Sequence, residues 1–189
     1  MVEGLHTSAD KRTLKKVIDL ALAHKETPKI RGGALTPEFA NYVEQLVRFA
    51  TGEDRYWDEP ASLLARAIEA WKAAEKRKRG TPSVSFRLHK GADWRETRLV
   101  LEIATDDMPF IVDSVTSALA DAGKPLSFFV NAVVNVTRDG KGFRVAEGEG
   151  KTVAESMVHA EMDPPVEEGE IAILEAEIRG VLADVATSV

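Results

Sequence analysis

The apolar residues of this chain first change their spacing near residue 80, and that change governs what it can fold into. Before it they recur every three to four residues; after it they mostly alternate. The first spacing lines one stripe of a helix, and the second lines one face of a strand. Leu14, Val17, Ile18, Ala21 and Leu22 form the first stripe, which runs into KETPKIRGGALTP, a sequence of loop chemistry. Thr36 stands as an N-cap with Pro37 at the first helical position, and Phe39, Tyr42, Val43, Leu46, Val47 and Ala50 make the second stripe, closed by Gly52. A third helix opens near Pro60 and turns Leu63, Leu64, Ala67, Ile68 and Trp71 inward. Its last turn is expected to be KRKRG, with cations at the negative end of the helix dipole and Gly80 at the C-cap.

From Pro82 the period is two. Val84, Phe86 and Leu88 share one strand face, GADW turns the chain, and Leu99, Leu101 and Ile103 share a face of the next strand. Helical spacing returns after Pro109 with Phe110, Ile111, Ser114, Val115, Ala118 and Leu119, and stops at Gly123. LSFFVNAVVNV is a long strand that buries Leu126, Phe128, Val130, Ala132, Val134 and Val136 and exposes Asn131 and Asn135. Asp139-Gly140 signals a hairpin turn with GFRV as its return arm, followed by the loop AEGEGKT and a further strand, ESMVHAEMD. A final helix runs from about Glu167 to Ala186 with Ile171, Leu174, Ile178 and Leu182 inward. Three helices followed by β-β-α-β-β-α predict an α+β protein. A helical lead-in over residues 1–80 precedes a ferredoxin-like sandwich over 81–189, with an antiparallel sheet, both helices on one face and the other face polar.

Several chemistries are excluded by what the chain lacks. It has no cysteine, hence no disulfide, no thiolate nucleophile and no cysteine-ligated zinc. The net charge of −6 argues against a phosphate-backbone binder. No signal peptide and no membrane span are expected, so a soluble cytoplasmic protein is the default. GEGKT at Gly148–Thr152 fails the P-loop spacing because Val145 stands where a glycine is required, and Val153 likewise breaks a G-x-G-x-x-G reading. His159 and Glu161 form an H-x-E pair without the cysteines that a zinc deaminase needs; with Asp163 they read as one exposed strand face. No catalytic, metal-binding or cofactor-binding residues are expected in this chain.

Asp106 and Asp107 fall where a strand ends and a helix begins. The simplest reading makes them its N-cap, with Pro109 near the first helical position. Such a corner can also hold the polar end of a small ligand, and acidic side chains there suit the ammonium of an amino acid.

At these residues the sequence resembles a known family. VLEIATDDMPFIVDSV, the later ESMVHAEMD and the upstream LLARAIEAWKAAEKRKRGTPSVSFR together resemble the beginning of the large bacterial NAD-specific glutamate dehydrogenases. The likeness extends from roughly residue 35 to the end. It implies a helical lead-in and a first ACT-type domain, whose partner is the rest of the dehydrogenase chain, with NAD and catalysis located downstream. It further implies a homo-oligomer and an amino-acid effector held at a corner of Asp106, Asp107, Met108 and Pro109, with Asn131 and Asn135 on an adjoining face. A regular ACT domain is β-α-β-β-α-β; here the extra strand Ser83–Lys90 is placed to take the sheet edge of the last strand. The alternative is a free-standing ACT-like or ferredoxin-like protein that binds a small ligand, a protein or RNA, the last across Phe129, Asn131, Val133 and Asn135.

Overall fold

The computed structural model describes residues 8–50, 59–91, 94–165 and 169–188. The chain divides into two compact units, 1–71 and 72–189. In the first lie α1 (Ser8–Ala23), α2 (Pro37–Ala50) and most of α3 (Pro60–Ala73). All six residues of the expected α2 stripe are buried, as are Leu63, Leu64, Ala67, Ile68 and Trp71 of α3. Trp71 meets Phe39 edge-on at 5.3 Å between ring centroids and Tyr42 at 5.9 Å, so one indole joins the two helices. On α1 only Val17 and Ala21 are fully buried among the described side chains, and Leu22 is exposed. The α2 helix starts at Pro37 as expected, yet the Thr36 hydroxyl makes no hydrogen bond, so the fixed φ of proline sets the start. Gly52 lies outside the described residues. The third helix stops at Ala73, short of the KRKR segment.

The second unit carries a four-stranded antiparallel sheet in the order β1-β2-β4-β3, from β1 (Ser83–Gly91), β2 (Trp94–Asp106), β3 (Leu126–Arg138) and β4 (Lys151–Met162). The α4 helix (Ile111–Asp121) links β2 to β3, and α5 (Glu170–Thr187) follows β4. Glu167, the expected start of α5, lies outside the described residues, as do Ala92 and Asp93 of the first turn. Both helices pack on one sheet face, where Ile111, Val115, Leu119, Leu174, Ile178 and Leu182 meet Val84, Phe86, Leu99, Leu101, Ile103 and Val158. The strand from before the unit's first crossover, β1, lies at the edge beside β2, the place expected for it. Among the described residues no helix is long and apolar enough to cross a membrane.

Two expectations about the sheet are corrected. GFRV turns back on the end of β3, with Arg144 bridging Arg138 and the Asp139 N–H donating to the Phe143 carbonyl oxygen, but it forms no strand, and the partner along β3 is the whole of β4. The face away from α4 and α5 is not an exposed polar one. Phe129 lies opposite Ala160 on the helix side, so the alternation of β3 turns Phe128, Val130, Ala132, Val134 and Val136 to the opposite face. Those five are buried there, together with Val100, Glu102, Met157, His159 and Glu161. The apolar pattern of β3 was legible, but not which face it served.

Candidate functional site

Asp106 is the last residue of β2. One of its oxygens accepts a hydrogen bond from Arg77 Nη2 at 2.6 Å, and the other accepts the Gly80 N–H at 2.9 Å. Burial opposes its ionisation, but the bonds from Arg77 and Gly80, with the charges of Arg77 and Arg79, outweigh that and hold the carboxyl below its usual range. Asp107 donates its own N–H to Ala154 O at 3.1 Å and accepts the Ser156 hydroxyl at 2.7 Å. Neither aspartate caps α4. That helix opens at Ile111, four residues beyond Asp107, with Phe110 in the N-cap position and no side-chain cap bond. Asp106 and Asp107 are therefore not the N-cap expected of them; each instead ties the corner to a neighbouring segment.

Phe110 itself departs from the expected stripe. Its φ is 68°, in the left-handed region, and its ring is 66% exposed. A non-glycine residue there costs roughly 1–2 kcal/mol. Phe110→Gly is expected to raise stability by about 1 kcal/mol, because relief of this strain exceeds the entropy of the added glycine. Thermal unfolding of the variant checks it, and a lowered midpoint would mean that the exposed ring contributes contacts worth more than the strain.

Asp106 and Met108 line a cavity of about 280 Å3 with Gly80, Thr105, Arg179 and Leu182. Arg179 reaches the Val84 carbonyl oxygen at 2.8 Å and pairs with Glu175 at 2.7 Å. The lining of the cavity thus includes a carboxylate, a guanidinium and apolar side chains. Pro109 is exposed on the turn beyond it. Asn131 and Asn135 do not line it: they stand opposite Val158 and Ala154 on the edge strand β3. The Asn131 side-chain oxygen is buried without a hydrogen-bond partner among the described residues, while Asn135 is exposed. Asp107 and Asn135 flank the same residue, Ala154, from either side of β4, which separates them by about 10 Å. The six expected residues therefore divide between a cavity, a hydroxyl-bonded turn and a sheet edge. Phe129, which an RNA-binding face would present, is partly buried against the core, and Asn131 is half-buried.

Beneath the corner lies a charge network that the sequence did not disclose. Glu155 of β4 is fully buried and accepts from Arg77 Nη2 at 2.6 Å, Arg138 Nε at 2.6 Å and Arg138 Nη2 at 2.8 Å. Arg138 also donates to the carbonyl oxygens of Ala74, Glu75 and Gly142 at 2.9 to 3.1 Å. Arg77, expected at a cationic helix end, is instead buried: the helix stops at Ala73, and beyond it Lys76 bridges Phe143 while Arg77 turns to Glu155.

A second buried cluster sits on the face away from α4 and α5. His159 Nδ1 is 2.7 Å from Glu102 and Nε2 is 2.9 Å from Glu161. His159 and Glu161 are thus interior groups and not an exposed strand face. Among the described residues no group of three or more His, Cys, Asp and Glu side chains is placed to hold a metal ion.

The family model for the ACT1 domain of glutamate dehydrogenase matches residues 42–178. The chain belongs to the glutamate dehydrogenase ACT1-domain family. A NAD-specific glutamate dehydrogenase of Pseudomonas aeruginosa is 26% identical over 97% of this chain, and one of Halomonas elongata is 34% identical over 51% of it. The chain spans 11% of the length of the first relative and the match spans 6% of the second. No solved structure matches. In this ACT1 chain, the family model covers α2 from Tyr42, α3, all four strands, α4 and half of α5, and so it includes the Asp106 corner and both buried charge clusters.

Proposed function

We propose that this ACT1 segment regulates and assembles a large NAD-specific glutamate dehydrogenase, and is not itself catalytic. The parent reaction is the oxidative deamination of L-glutamate to 2-oxoglutarate and ammonia with NAD, carried out by a core elsewhere in a cytoplasmic homo-oligomer. The remainder of the dehydrogenase chain is its main partner. The observation that carries the reading is the family match across the whole sheet, joined to a cavity whose walls bear opposite charges. The ammonium of an amino acid suits Asp106, its carboxylate suits Arg179, and an apolar side chain suits Met108 and Leu182. Both charged groups already have partners within the chain, at Arg77 and Glu175. A ligand that competes for them would loosen the corner from the segment before β1, a local change with a route to the rest of the enzyme.

Ala183 lines the same cavity and is exposed on α5. Ala183→Phe in the full-length dehydrogenase is expected to fill the cavity and weaken the response to amino-acid effectors by about tenfold or more. The assay is NADH formation from L-glutamate across a panel of added amino acids. An unchanged response would remove this cavity from consideration, and an enzyme without glutamate-dependent NADH formation would remove the parent assignment.

A further inference from the structure

Two motifs that the sequence analysis set aside, KRKR at 76–79 and GEGKT at 148–152, come together in the fold. Arg77, Lys78 and Arg79 from one, and Glu149, Gly150 and Lys151 from the other, line an open cavity of about 480 Å3 closed by the 138–142 turn. The wall is built by close backbone packing. A Cβ on Gly142 would sit 2.6 Å from the Arg77 carbonyl oxygen, and one on Gly150 would run into the Arg138 carbonyl oxygen. Only glycine permits these approaches, and they are what bring cations from separate segments to one opening.

The charges on this wall are of two kinds. Arg77 and Arg138 are committed to Glu155 and form a fixed floor. Lys78, Arg79 and Lys151 are exposed, and the side chains of the three make no hydrogen bond or ion pair among the described residues; Arg79 lends only its charge to Asp106. Of the acids, Asp139 accepts the N–H groups of Lys141 and Phe143 at 2.9 Å and so serves the turn; Glu149 is the other. Segments 76–79 and 138–151 hold eight lysines and arginines against three carboxylates, in a chain whose net charge is −6. Positive charge is concentrated here against the trend of the molecule. The opening is of small-molecule size, within the roughly 300–1,000 Å3 of ligand sites. A nucleic-acid backbone would need a longer basic track than this acidic chain supplies.

We propose that this cavity binds the phosphate groups of a phosphorylated small molecule, with Lys78, Arg79 and Lys151 as the side chains that hold them. The guanidinium offers paired donors to one phosphate and the two ammonium groups act as mobile point charges on it or its neighbour. Recognition here is by side chains. The GEGKT segment leads into a strand, so no helix N-terminus contributes. This site shares no lining residue with the Asp106 cavity and stands or falls independently of it.

The test is calorimetric titration of the whole 189-residue chain with pyrophosphate and, separately, with ADP at low ionic strength. One saturable site is expected. The combined Lys78→Gln, Arg79→Gln and Lys151→Gln variant should bind at least about tenfold more weakly with an unfolding midpoint close to the parent's, since the Lys78 and Lys151 side chains bond nothing and Arg79 adds only a solvent-screened charge at Asp106. Lys16→Gln, an exposed cation on α1, should bind as the parent does. Equal affinities for the two probes would confine recognition to the phosphates, and tighter ADP binding would extend it to the nucleoside; both support the proposal. No heat with either probe, equal binding by the triple variant, or capture of single-stranded RNA in place of pyrophosphate would overturn it.

Discussion

Glu155→Gln is expected to destabilise the unit 72–189 by about 3–5 kcal/mol, the range for removing one partner from a buried ion network. The cost follows from what the carboxylate holds. It is fully buried and is the common acceptor of two guanidinium groups that approach from different segments, Arg77 after α3 and Arg138 at the end of β3. Glutamine keeps the shape, but it carries no charge and turns an N–H group toward cations that need acceptors. Asp106 then remains as the carboxylate partner of Arg77, and Arg138 keeps only carbonyl oxygens. Asp106→Asn should cost less, because a third of that side chain is exposed and its pairing is screened by water. Burial disfavours the charged form of Glu155, but the bonds and charges of Arg138 and Arg77 prevail and hold its carboxyl below the usual 4.5. A carboxyl depressed by folding stabilises above its unfolded value and loses that contribution as pH falls through the folded one. Urea unfolding at neutral pH, and again below pH 4.5, reads both effects. A loss under about 1 kcal/mol at neutral pH would show that water reaches the network.

Much of the architecture was legible because periodicity reports burial directly. The α2 stripe, the inward set of α3, the turn to α4 at the aspartates and the edge placement of β1 follow from spacing and connection alone. Charged residues misled for one shared reason. A lysine- and arginine-rich run after a helix, or a histidine alternating with acids on a strand, reads as solvated surface unless its partners are known. Those partners are distant in sequence: Arg77 meets Glu155 across 78 positions, and His159 meets Glu102 across 57. The strand pattern showed that Val130 and Val134 are buried, but alternation alone does not say which face of the sheet the buried set serves. The signals that could have been weighed are Arg138 closing an apolar strand and Glu102 sharing its strand face with Val100 and Ala104, where an exposed charge is out of keeping. The left-handed Phe110 had no signal at all, since nothing in the residue favours φ near 68°.

Stability is expected to fall as pH rises from about 6.5 to about 9, and His159 is the cause. Its ring is fully buried, with Glu102 on Nδ1, Glu161 on Nε2 and the Phe128 ring edge-on at 5.7 Å. Burial alone would expel the proton. The charge and hydrogen bond of Glu102, with those of Glu161, overcome it and raise the imidazole from 6.5 to about 9. A base whose pKa is raised by folding stabilises fully below its unfolded value and loses that contribution as pH climbs through the folded one, here about 3 kcal/mol in all. Glu102 acts in the same direction. Burial lifts its carboxyl above 4.5 in spite of His159, so the folded state resists its ionisation and stability begins to decline at lower pH. Two acids around one base titrate as a unit, and the exposed Arg87 adds its charge to Glu102 from β1. His159→Gln retains a hydrogen-bonding side chain without the charge. Its stability should be lowest relative to the parent near pH 6 and should approach it toward pH 9, where the parent's imidazole loses its proton. Urea unfolding of both proteins across that range gives the difference directly. Parallel curves between pH 6.5 and 9 would mean that the imidazole is neutral in the fold and that one of the acids carries the shared proton instead.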